Sequence, residues 1–126
     1  MTITEFIRAR LDEEESAARG AYGNNWHDDV EDREKSWVCA EDMHLAEADH
    51  ATAHHMALHD PARVLREIAA KRSVLDMALT EQEAGDRYGA GFNEASEGWH
   101  DVQEHVLKQL ASAHADHTDY QQEWAL

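Results

Sequence analysis

Apolar residues recur at helical spacing from the start of the chain. Ile3, Phe6, Ile7 and Leu11 form one stripe, the pattern of an amphipathic helix. Thr2 and Glu5 stand just before it at the spacing of a capping box, in which each side chain accepts from the other's backbone N–H. Asp12 to Glu15 continue the helix as an acidic patch, and Gly20 is placed to end it in a left-handed conformation. From Gly20 to Ser36 the chain is polar and aperiodic, with five acids between His27 and Glu34. This segment reads as a loop, with Trp26 anchoring it to the core. The stretch SWVCAEDMHLAEADH then carries two short apolar runs, Trp37–Ala40 and Met43–Ala46, around Glu41-Asp42. They form either a β-hairpin over residues 37–47 or part of one helix, and runs this short hold no period that decides.

The sharpest boundary is His59-Asp60-Pro61. Pro61 is the one proline; it disfavours a helical Asp60, while Asp is a strong N-cap and Pro suits the first helical position. One helix, Ala48 to His59, therefore stops there and a second begins, with Val64, Leu65, Ile68, Leu75 and Leu79 as its apolar face. Arg63, Arg66, Lys71 and Arg72 load this helix with basic residues, and Glu67 precedes Lys71 by four in the favourable orientation. Gly85, Gly89 and Gly91 mark a loop. Asn93 caps a further helix with the stripe Trp99, Val102, Val106 and Leu110, and Asp119 caps a last turn bearing Tyr120 and Trp124. The expectation is a mainly α, small single-domain helical protein spanning residues 1–126.

Composition thins the core. Leu, Ile, Val and Phe number 20 of 126 residues, against 21 alanines and a formal charge of −16. Alanine helices with a narrow apolar stripe bury little area, and at about 25 cal/mol per Å² such a core is marginal alone. A partner surface, either another protein or a second copy in a homo-oligomer, is expected to complete it. Twenty-seven acids against eleven bases repel phosphate backbones and anionic lipid, so direct nucleic-acid or membrane-surface binding is not expected. No apolar run approaches a signal h-region or a membrane span, and the single Cys39 has no internal disulfide partner. The cytoplasm is the expected compartment.

Ten histidines are the one compositional feature that points to chemistry, and five lie between His44 and His59. His50 and His54, and His55 and His59, are each one helical turn apart, a spacing at which two imidazoles chelate a transition metal such as zinc. Glu47 stands three residues before His50. The candidate ligands are His55 and His59, with His50, His54, Glu47 and His117 to complete the set. The Glu-x-x-His steps Glu41/His44, Glu47/His50 and Glu97/His100 are no more frequent than so acidic a chain gives by chance, and two further helices with inward Glu, which a di-iron bundle needs, are not identifiable. Gly89-Ala90-Gly91 has Glu94 where a dinucleotide fingerprint needs its third glycine, and no phosphate loop is present. Cys39 reads as a half-buried free thiol, without a placed base to make it a nucleophile. No cofactor-binding or catalytic constellation emerges.

Two stretches resemble an uncharacterised family of small proteins of Streptomyces-type actinobacteria, their phages and mobile elements, which carries a domain of unknown function. WHDDVEDREKSW with ATAHHMALHDPARVLREIAAKRSVL is close to that family's His-x-x-x-His-Asp-Pro-Ala-Arg-Val-Leu core, and ADHTDYQQEW to its Ala-Asp-His-Pro-Asp-Tyr-x-x-Glu-Trp ending. With FIRARLDEEE the match spans the chain except about Leu79 to His100. Trp26, His55, His59, Asp60, Pro61, Arg63, His117, Asp119, Tyr120 and Trp124 fall on the motif. Thr118 stands where the family usually has Pro, and a cysteine-containing insert of many members is missing. The resemblance implies no activity, but it favours the β-hairpin over residues 37–47. The functional expectation is a non-enzymatic cytoplasmic accessory or regulatory module acting through protein contacts. The alternative is a histidine-rich metal-binding protein, and a third is an acidic DNA mimic from a mobile element.

Overall fold

The structure, a computed structural model, describes the backbone of residues 1–88 and 94–126 and the side chains of residues 1–80 and 98–126. Its elements run α1 (Ile3–Gly20), β1 (Trp26–Val30), β2 (Lys35–Ala40), β3 (Met43–Asp49), α2 (His50–Leu58), α3 (Pro61–Tyr88) and α4 (Glu94–Ser112), with a 3-10 turn at Gln122–Trp124. The chain is mainly α with a three-stranded antiparallel meander, ordered β1-β2-β3. Two compact units are distinguished, Glu13–Ile68 and Met1–Asp12 with Ala69–Leu126.

The hairpin reading of residues 37–47 holds, and the segment read as a loop supplies a third strand. WHDDV pairs with β2 from Trp26↔Ala40 to Val30↔Ser36. Strand β1 was hidden because four of its five side chains are exposed, so no buried face shows as alternation. Asp32 shapes the β1–β2 turn by accepting from the backbone of Glu34 and Lys35 at 2.8 and 2.9 Å. Glu41, with φ of 55°, takes the left-handed position in the β2–β3 turn. A bulge between Val38 and Cys39 shifts the register against β3.

Alternation along β2 divides the sheet into two faces. Ser36, Val38 and Ala40 point one way and are buried, and α2 packs on all three strands. Its contact residues Ala53 and Ala57 are small enough for helix and sheet to approach closely. The expected helix from Ala48 begins two residues later: Ala48 still pairs with Ser36, and Asp49 is the N-cap, accepting from Thr52 N at 3.0 Å. Gly20 is not the left-handed residue after α1. Gly23 is, with φ of 69°, and a Cβ there would meet the Ala40 Cβ at 2.8 Å.

The Asp60-Pro61 boundary stands as read. One Asp60 oxygen accepts from Arg63 N at 2.8 Å and caps α3, while the other accepts from Trp26 N at 3.1 Å. Ala62 N donates to the Asn24 carbonyl at 2.9 Å. Glu67 accepts from Arg63 at 2.8 Å, one turn before it. Helix α3 continues through Gly85, where a loop was expected; the turn at Gly89 and Gly91 and the Asn93 cap lie outside the described residues.

In the other unit the capping box forms in full, with Thr2 N donating to Glu5 at 2.7 Å and Glu5 N to Thr2 at 3.1 Å. Phe6, Ile7 and Leu11 are buried as the stripe required. The Phe6 ring gathers the C-terminal segment: Trp124, His117 and Tyr120 lie 5.1, 5.8 and 6.0 Å away between centroids. The final turn is capped by Gln121 without a side-chain bond, so Asp119 does not serve as its cap.

Asp60→Ala removes a helix cap and a strand anchor together. The expected cost is about 1–3 kcal/mol, read as a lower urea midpoint at unchanged slope, with Asp60→Asn losing less because Asn also caps. Glu5, Asp32 and Asp49 are each held below the ordinary carboxylate range, chiefly by the backbone N–H groups they accept from. Their contribution is present above the unfolded-chain value and is lost as pH falls through the folded one. The urea midpoint should therefore drop on acidification below that range, and a midpoint that rises there would contradict the assignment.

Candidate functional site

The structure separates the expected ligands into different local settings. His50 is fully used: its Nδ1 lies 2.6 Å from the Ser36 hydroxyl and its Nε2 2.9 Å from the Arg33 carbonyl. It fastens the start of α2 to β2 and to the β1–β2 turn. His54 lies 3.4 Å from Asp28, and Glu47 pairs with Lys35 at 3.0 Å. His55 and His59 do come together, with ring centroids 4.4 Å apart. His59 Nδ1 donates to the His55 carbonyl at 2.9 Å, which leaves Nε2 as its free ring nitrogen. His117 belongs to the other unit, where Arg10 Nη1 packs on its ring and Asp119 N donates to its Nδ1 at 3.1 Å. The Arg10 guanidinium also lies over Phe6, 5.3 Å from the centroid.

A different set of donors converges on the sheet face opposite α2. His27 stands directly across from Cys39 in the β1–β2 register, and Asp29 follows on the same face of β1. Their ligand atoms all lie within 4.8 Å of one another, the one such group among the described residues. His27 Nε2 is 3.4 Å and Cys39 Sγ 3.7 Å from the same oxygen, Asp29 Oδ2. Cys39 is 2% exposed, so the thiol forms the floor, while His27 and Asp29 stand open to solvent. On the far side of Cys39, His44 is its register partner in β3 and stacks on Trp37 at 4.6 Å. Burial raises the Cys39 thiol above its ordinary value, and the Asp29 charge adds to the rise. Sequence reading missed this group because it requires β1 and its register. The signal was the His27-x-Asp29 spacing, which means little until the segment is a strand.

The second candidate is the outer surface of α4. The helix buries Gln103, Leu107 and Ala111, a face one turn apart at each step. The apolar stripe expected in the core is turned outward at its start: Trp99 is 55% and Val102 52% exposed, with Val106 half-buried behind them. Elsewhere in that unit a groove of about 300 Å³ is lined by Ile3, Glu104, Leu107, Lys108, Glu123 and Trp124. Among the described residues, no helix is long and apolar enough to cross a membrane.

The protein-family model described as a family of unknown function, DUF6221, matches residues 1–126. No curated protein and no solved structure matches the chain.

Alkylation of Cys39 tests the site's electrostatics. In metal-free buffer the pH midpoint of its reaction with iodoacetamide should lie above that of the unfolded chain, and Asp29→Asn should move it down by removing the adjacent charge. A folded-chain rate equal to that of the unfolded chain at neutral pH would contradict this.

Proposed function

We propose that this chain, which belongs to the DUF6221 family, is a single-domain, non-enzymatic accessory or regulatory module that works through protein contacts. One observation carries the reading: the apolar stripe of α4 opens to solvent at its start, where Trp99 and Val102 are exposed. Aromatic residues at the centre of an exposed apolar patch are the usual anchors of protein interfaces. Asp101 and Glu104 are exposed on the same helix, and the chain carries −16 overall. The partner's surface is therefore apolar at its centre and rimmed by Lys and Arg. A second copy of this chain would bring the same negative charge. The resemblance to actinobacterial and mobile-element proteins makes that cytoplasm the place to look.

A second reading, metal binding through His55 and His59, is supported by the closeness of their rings and by the His59 Nδ1 bond to a carbonyl. Such a bond fixes a ligating imidazole in the tautomer that presents Nε2.

The interface is tested with Trp99→Ala and Val102→Asp in the full chain, used as bait against an actinobacterial lysate and then against the captured protein in purified form. Each variant should keep its circular dichroism and lose about 2 kcal/mol or more of affinity, roughly thirtyfold. Affinity should also fall with added salt. Binding indifferent to both variants would overturn the proposal.

A further inference from the structure

Beyond any protein contact made by α4, the geometry points to a metal site on the sheet: we propose that His27, Asp29 and Cys39 bind one zinc-class divalent transition-metal ion, with water in the fourth position. The three donors come from two adjacent strands whose pairing fixes their spacing. His27 and Cys39 are directly opposed, and Asp29 lies one pleat further along the same face. Strand register is a stiff constraint, so the donors are held before any ion arrives.

The two donor separations that meet at Asp29 Oδ2 match the edges of a coordination sphere. Bond lengths of zinc to Cys, His and carboxylate place tetrahedral N–O and S–O edges at about 3.3 and about 3.6 Å. The observed separations are 3.4 Å from His27 Nε2 to Asp29 Oδ2 and 3.7 Å from Cys39 Sγ to that same oxygen. An ion pair and a thiol hydrogen bond account for each contact singly. They do not require the imidazole and the sulfur to share one carboxylate oxygen and remain within 4.8 Å of each other.

The donor set also selects the metal. A sulfur, an imidazole nitrogen and one carboxylate oxygen suit zinc and its neighbours and are poor for magnesium or calcium, which take oxygen shells. On binding, the Cys39 S–H bond breaks, its proton goes to solvent, and the thiolate and carboxylate balance the ion's two charges. His27 and Asp29 are open to solvent, which gives an entry path and leaves the fourth vertex to water. The bulge between Val38 and Cys39 is the kind of irregularity that re-aims a side chain beside a site. The stacked Trp37 and His44 wall the neighbouring position.

Cobalt titration of the full, untagged chain tests the assignment, because a thiolate ligand announces itself in a charge-transfer band in the near ultraviolet. One Co²⁺ per chain should give that band, and Zn²⁺ should bleach it. Cys39→Ser should abolish it; because that residue is buried, His27→Ala and Asp29→Asn at exposed positions provide the independent arm, each weakening binding about tenfold or more. A His55→Ala/His59→Ala double variant should leave the band intact. The proposal is overturned if no band appears, if His27→Ala and Asp29→Asn bind cobalt as the parent does, or if the band is lost in the His55/His59 variant instead.

Discussion

The Asp60 carboxylate is the point on which the sheet-bearing unit turns. A helix starts with N–H groups that have no partner within it, and a strand start has the same need. Asp60 meets both: one oxygen takes the Arg63 amide and the other the Trp26 amide. Pro61 has no N–H to compete, and the next amide, at Ala62, reaches the Asn24 carbonyl. Arg63 adds a bond from its guanidinium to the Leu58 carbonyl at the end of α2. The entry to β1, the end of α2 and the start of α3 are thus joined through the four-residue segment from Asp60 to Arg63. Strand β1 has little apolar surface of its own, so this junction and its pairing with β2 hold it in place.

Once β1 is fixed, the two faces of the sheet have different fates. The Ser36, Val38 and Ala40 face is closed by α2, whose Ala53 and Ala57 bring little bulk. Small residues on both sides let the layers close, and His50 seals one end by bonding Ser36 and Arg33 together. The Trp37 and Cys39 face has no such cover from α2. On this face the buried Cys39 lies beside the exposed His27 and Asp29 side chains.

Legibility in the sequence followed the range of the interaction. The Thr2/Glu5 capping box and the Asp60-Pro61 boundary were readable because their chemistry is complete within four residues. The 37–47 hairpin needed the family resemblance, since its runs were too short to show a period. Strand β1 was unreadable: WHDDV has the composition of a loop, and only its pairing with β2 and the bond from Trp26 to Asp60 make it a strand. The cluster of His27, Asp29 and Cys39 vanished with it. Helix α4 failed in another way. Its period was right, but the burial of Gln103 in the place of Val102 depends on which neighbours pack against the helix. Of the expected ligands, the structure pairs His55 with His59 and gives His50, His54, Glu47 and His117 separate local partners.

Native-state amide hydrogen exchange measures the junction directly. If Asp60 binds β1 and α3 into one cooperative element, the amides of Trp26, Ala62 and Arg63 should exchange with a common opening free energy, and β1 should be as protected as the start of α3. Fast exchange across β1 while the first turn of α3 stays protected would show that the strand is not held by this carboxylate, and the sheet face built on it would lose its foundation.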